Sequence, residues 1–189
     1  MAGSRRATFE QLALPHLDAM YRVARRLAGS QAEAEDLVQE ACYRALRSFD
    51  GFELRAYGVK PWLLRILHNV FYSHREREGR QPSLLDDVDF DCFSGELEPP
   101  SLETWPEALP DWDDFDEEIK AAVQDLAPEY RTVLLLWAFE GMQYKEIAAV
   151  CQCAVGTVMS RLYRARQQLS QRLAGYARER NVTQGRTST

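Results

Sequence analysis

The sequence is poor in cysteine: Cys42, Cys92, Cys151 and Cys153 are too few and too unevenly placed to staple 189 residues, which predicts reduced thiols rather than a disulfide framework. It has no run of 18 apolar residues, so neither a membrane-spanning helix nor any other direct membrane insertion is expected. Arg5 and Arg6 lie near the N-terminus, but Glu10, Gln11, His16 and Asp18 interrupt any apolar stretch behind them, so no signal peptide is expected and the cytoplasm is the expected location. Histidine is scarce as well. His16, His68 and His74 fall in helical periods without a nucleophile beside them, and no catalytic site can be assembled around them. Cys151-Gln-Cys153 lacks the second ligand pair that zinc needs, and no cofactor motif is present. No segment carries a strand pattern, which makes the expected fold all-α.

Base of any kind is absent from residues 81–118, which hold 14 acids, whereas residues 1–80 carry 13 bases against 10 acids and residues 119–189 carry 10 against 5. The net charge of −6 therefore hides two mildly basic ends that alone have the sign to approach phosphate. From Gln81 to Asp114 the chain has five prolines and no sustained period, the mark of a linker whose carboxylates repel one another, with aromatic residues such as Trp112 available as docking anchors. The expected organisation is an N-terminal domain over 1–80, an acidic linker over 81–114, a C-terminal helix-turn-helix domain over 115–177 and a flexible tail over 178–189.

Both flanks read as helix. Apolar residues at 9, 12, 13, 17, 20, 21, 24 and 27 form one stripe from Phe9 to Leu27, ended by Gly29. Ser30 and Glu33 then have the spacing of a capping box that opens a second helix running to Phe49. Pro61 suits the first position of a third helix reaching Arg80. Further helices are expected near 115–126, 128–140, 143–150 and 155–177.

The most specific signal runs from Tyr144 to Arg166. Ile147, Ala148 and Val150 make a short inner face, a tight connection follows, and Val155, Val158, Leu162 and Ala165 form the inner side of a longer helix. Its other side presents Thr157, Ser160, Arg161, Arg164 and Arg166. A DNA-reading helix needs that division, with small polar residues to enter a groove and arginines to fork onto guanine or phosphate. A solvated basic surface would show arginines too, but not on the second helix of a short-then-long pair.

At Leu126-Ala-Pro-Glu-Tyr-Arg-Thr-Val-Leu-Leu-Leu, Glu140-Gly141, Glu146-Ile-Ala and Gly156-Thr-Val-Met-Ser-Arg-Leu-Tyr-Arg-Ala-Arg the chain resembles the C-terminal domain of extracytoplasmic-function sigma factors of the sigma-70 family. The resemblance implies contacts with a −35 promoter element by Thr157, Ser160, Arg161, Tyr163 and Arg164. Met159 stands where many members carry a basic or polar residue, and a thioether cannot make a bidentate base contact.

On the second helix Asp36, Gln39, Glu40, Tyr43, Arg44 and Arg47 lie outward, opposite Val38, Ala41, Cys42, Ala45, Leu46 and Phe49. An acid–amide–acid group beside arginines suits a charged partner helix, though such a group alone is more often a wet surface. Glu35-Asp-Leu-Val-Gln-Glu-Ala is similar to the family segment that grips the polymerase β′ coiled coil, which implies Asp36, Gln39, Glu40 and Tyr43 as core-polymerase contacts. The Lys60–Arg75 stretch is largely core, with Leu63, Leu67 and Val70 as its apolar centre. Asn69 fits that role poorly, since beside Arg65, Tyr72 and Arg75 it is placed for bases and phosphates. The stretch resembles the family's −10 melting region and implies a base pocket from Asn69 and the loop 50–59, with Trp62 and Tyr72 in the melting segment and Lys60, Arg65 and Arg75 on the backbone.

The function so implied is promoter-specific initiation by binding, without covalent catalysis, with core RNA polymerase (β′ and β subunits), promoter DNA and an anti-sigma factor as partners. The acidic linker is expected to repel DNA until polymerase is bound. Two other classes stay open at this point. One is a two-domain helix-turn-helix regulator that never joins polymerase. The other is a metal-dependent enzyme using Asp87, Asp89, Asp91 and Glu98, although Cys92 replaces the glycine that a calcium loop requires and linker charge explains those acids equally.

Overall fold

The computed structural model describes residues 2–49, 58–79 and 112–176, and every described element is helical. Residues 81–111 of the expected linker, with the carboxylates at 87–98, residues 50–57 of the expected loop and the expected tail over 178–189 lie outside the described residues.

Four helices build the N-terminal half: α1 (Ala2–Ala13), α2 (Leu17–Leu27), α3 (Gln31–Ser48) and α4 (Val59–Arg77). The single helix expected from Phe9 to Leu27 is broken by a 3-10 turn over Leu14–His16. Pro15 is the cause, because it has no N–H to donate and its ring collides with the carbonyl one turn back. The apolar stripe survives the break: Phe9, Ala13, Met20, Ala24 and Leu27 are all buried. At the start of α3, Ser30 Oγ accepts from Glu33 N at 3.2 Å, while Gly29 N donates to Glu33 Oε2 at 2.7 Å, one residue earlier than in a reciprocal box. The buried edge of α3 is Ala34, Leu37, Ala41 and Ala45, with Val38, Cys42, Leu46 and Phe49 half-buried beside it. The core stripe is thus rotated toward Leu37 relative to the sequence expectation. The third helix starts two residues before Pro61, at Val59, and ends at Arg77; proline is still within the first turn, where its missing N–H costs nothing.

The C-terminal half holds α5 (Glu117–Gln124), α6 (Pro128–Ala138), α7 (Tyr144–Cys151) and α8 (Val155–Arg172), close to the expected spans. A 3-10 turn over Trp112–Asp114 leads in, and Trp112 docks edge-on against Phe139 at 5.4 Å. Helix α6 is buried along its whole length and forms the spine on which α7 and α8 pack. After α6, Gly141 takes φ +63, a conformation that a Cβ would strain, and the reversal lets Met142 N reach Leu136 O at 3.1 Å. That turn presents Glu140 to the other half of the molecule. Gln152 at φ 54 closes α7, and Cys153 N bonds Ala148 O at 3.1 Å, so α8 begins after only three residues.

The two helical domains share one apolar core. Helix α4 packs along α7 and α2 against α6, so the cluster that begins at Phe9 continues to Ala165.

Candidate nucleic-acid interface

The inner side of α8 is Val158, Leu162 and Ala165, all buried against the domain core. That fixes the helix rotation and turns Tyr163 and Arg166 to solvent, with Thr157, Met159, Ser160, Arg161 and Arg164 half-buried at the flanks. Ser160 Oγ donates to Thr157 O at 3.0 Å, and Arg164 Nη1 donates to Tyr130 Oη at 3.4 Å. The face divides as the spacing predicts, but its residues do not all look outward. Arg161 lies close enough to His68 and Tyr72 of α4 to act on both electrostatically.

Helix α4 faces the C-terminal domain across that contact. Asn69 Oδ1 accepts from Gln152 Nε2, in the turn between α7 and α8, at 3.0 Å. Tyr72 is half-buried, and burial pushes its phenol up to about 12. The His68 ring lies tilted at 43° against Tyr72 with ring centroids 4.5 Å apart, and burial holds its imidazole down at about 4. Arg75 is half-buried over the Phe71 ring. Trp62 is half-buried against Phe49, and Arg65 is exposed.

At the other end of the same contact sits a cluster that sequence patterns did not reveal. The Glu140 side chain is fully buried, and its Oε2 receives Lys60 Nζ at 2.8 Å and Arg22 Nη2 at 3.2 Å, while Arg22 Nε reaches Oε1 at 3.2 Å. Lys60 Nζ also donates to the Glu140 carbonyl at 3.1 Å. Nearby His16 is held below its ordinary value by burial and then by Lys60. Arg26 of α2 lies over the Phe139 ring at 4.3 Å and the Trp112 ring at 5.3 Å. These partners are 80 to 118 residues apart in sequence, and no local period announces such pairs.

Toward the end of α4, around Tyr72 and Arg75, the interface is imperfectly satisfied. Both oxygens of the buried Glu129 carboxylate, Arg75 Nε and Arg131 Nε have no hydrogen-bond partner among the described residues. Arg131 carries Arg75 as a like charge nearby, and burial first, then that charge, lowers its pKa.

The outward face of α3 stands apart from all this. Asp36, Gln39 and Tyr43 are exposed, Tyr43 at 61%. Glu40 is half-buried: Oε2 lies 2.6 Å from His74 Nε2 of α4, and Oε1 pairs with Arg44. The His74 hydrogen bond, and then Arg44, hold the Glu40 carboxyl below its ordinary range. Glu40, Tyr43, Arg44, Arg47 and Ser48 line an open depression there, with Arg47 over the Tyr43 ring at 5.7 Å.

Among the described residues no group of three or more acidic, histidine or cysteine side chains could hold a metal ion. A short helix, a tight turn and a longer basic helix, set on a second helical domain, define a two-domain helix-turn-helix protein. Models of Sigma-70 region 2 and Sigma-70 region 4 match residues 12–81 and 116–169. The chain is 35% identical over 182 residues to the RNA polymerase sigma-H factor of Pseudomonas aeruginosa, covering 94% of this chain and 91% of that protein. It is 34% identical over 172 residues to the ECF RNA polymerase sigma factor SigE of Mycolicibacterium smegmatis, covering 91% of this chain but spanning 64% of that protein. Among solved structures, the sigma factor RpoE of Bartonella quintana, in complex with the anti-sigma factor NepR, superposes with a TM-score of 0.66 at 30% identity, over 88% of this chain and 97% of that one. The chain belongs to the extracytoplasmic-function sigma factors of the sigma-70 family.

Proposed function

We propose that the chain joins core RNA polymerase and directs it to promoters by reading a −10 and a −35 element, acting by binding alone and in the cytoplasm. The observation that carries this is the pair of faces on one chain: an exposed acid–amide face on α3 and a basic face on the second helix of a helix-turn-helix. In this reading Asp36, Gln39, Glu40 and Tyr43 meet the β′ subunit. Asn69, Trp62 and Tyr72 capture unstacked −10 bases, with Lys60, Arg65 and Arg75 on phosphates. Thr157, Ser160, Arg161, Tyr163 and Arg164 contact the −35 element, and Met159 supplies only apolar contact there.

Residues 1–80 and 115–177 then act as two weak binding units whose tether raises the effective concentration of each for its own element. The similarity to a sigma factor solved with its anti-sigma factor supports an anti-sigma protein as a further partner.

Start-site mapping in transcription reactions with purified core polymerase and genomic DNA tests the proposal. Discrete new start sites are expected, and they should vanish when Asp36 and Glu40 are both replaced by lysine. Initiation identical to that of core polymerase alone would sink it.

A further inference from the structure

Arg22 carries no sequence signal for nucleic acid, yet it converges with Lys60 on a single anion. The two cations come from different helices, α2 and the first turn of α4, and meet on one carboxylate within 3.2 Å. Arg22 uses its Nε and Nη2 together, the forked geometry with which a guanidinium holds either a carboxylate or a phosphate. The anion in place is Glu140, delivered from the C-terminal domain by the turn at Gly141. Midway along α4 the same domain supplies Gln152, whose amide donates to Asn69 Oδ1 as the exocyclic amine of a base would.

We propose that Arg22 and Lys60 form a backbone-phosphate site for promoter DNA, and that Glu140, with Gln152 on Asn69, occupies it as an internal mimic of nucleic acid while the two domains are closed. This rests on the promoter-binding reading above. The domains part when polymerase engages the α3 face, which the closed chain leaves exposed. The C-terminal domain then withdraws its carboxylate, and two cations already brought together become available to a phosphodiester. Parting the domains uncovers shared apolar surface, a cost that polymerase binding must offset, but it also returns water to the Glu129 carboxylate, which the closed chain leaves without a hydrogen bond.

The site is sequence-independent, so a fluorescently labelled duplex of arbitrary sequence and its single strand are sufficient probes for the full chain without polymerase. Glu140→Gln keeps the side chain's size and removes its charge; it should bind both probes several-fold more tightly than the natural chain. In that background Arg22→Ala should weaken binding and make the dependence of log K on log salt shallower by about 0.7 to 0.9, the loss of one phosphate contact. Arg22→Lys should restore most of that slope. Circular dichroism checks that each variant keeps its helix content.

Unchanged affinity in Glu140→Gln, or an unchanged slope in Arg22→Ala, overturns the proposal. If inorganic phosphate at matched ionic strength displaces DNA more than chloride does, and only while Arg22 is present, the site belongs to the free ion and the assignment to DNA is wrong. Because the slope is read without polymerase, its failure is distinguishable from failure of the functional reading, which start-site mapping with the natural chain decides.

Discussion

Helices α3 and α4 share a core, yet they meet the outside world differently. The outward face of α3 carries Asp36, Gln39 and Tyr43 free to solvent, whereas Asn69 and Lys60 of α4 are engaged by Gln152 and Glu140 of the other domain. Side chains with no contact to the other domain are available to a first partner, whereas Lys60 and Asn69 must first be released from Glu140 and Gln152. The difference follows from position: among the described residues α3 packs chiefly on α2 and α4, while α4 lies between α3 and α7.

The comparison can be broken most severely from the inside. Leu67→Ala empties a site that is 1% exposed on the shared core, and should cost about 3 kcal/mol, read as a lower urea midpoint at unchanged m-value. Both faces would be lost together, which separates core damage from damage to one face. Asp36→Lys should do the reverse. Polymerase affinity should fall on the order of tenfold, about 1.4 kcal/mol, in a pull-down or calorimetric titration with core enzyme, while the thermal midpoint stays put because the side chain is exposed.

Acid sharpens the contrast from the α4 side. Burial holds His68 at about 4 in the folded chain, below the roughly 6.5 of an unfolded histidine, so between these values the unfolded state binds the extra proton. Stability contributed by this group is complete above about 6.5 and is lost as pH falls toward 4. The expected loss from pH 7 to 5 is on the order of 1 kcal/mol, allowing for the solvent that still reaches this half-buried residue, and His68→Gln should flatten the profile of thermal midpoint against pH. The smallest effect belongs to Ser30→Ala, which removes an exposed cap from α3 and should cost about 0.5 to 1 kcal/mol in thermal unfolding.

Much of the architecture was legible beforehand for local reasons. Apolar residues at three- and four-residue spacing mark helices because each turn returns to the same face, and Ser30 and Gly29 mark a boundary because free N–H groups there need an acceptor. The errors were local as well. Pro15 splits the first helix although the apolar stripe runs through it, and Leu37 sits deeper than Val38 because the pattern alone does not set helix rotation to within one residue. Within the candidate site, the outward positions of Asp36, Gln39, Tyr43, Arg65 and Tyr163 could be read from periodicity. The partners of Lys60 and Asn69 could not, nor could the convergence of Arg22 on Glu140.

Helix content, the short-then-long helix pair, the charge division and the family motifs were determined by the order of residues alone, since each depends on neighbours within a few turns. Which charged faces lie open and which are covered was decided only by tertiary structure. An ion pair between residues 22 and 140 exists only once two domains have packed, and only packing gives a buried carboxylate its strength by removing the water that would otherwise screen it.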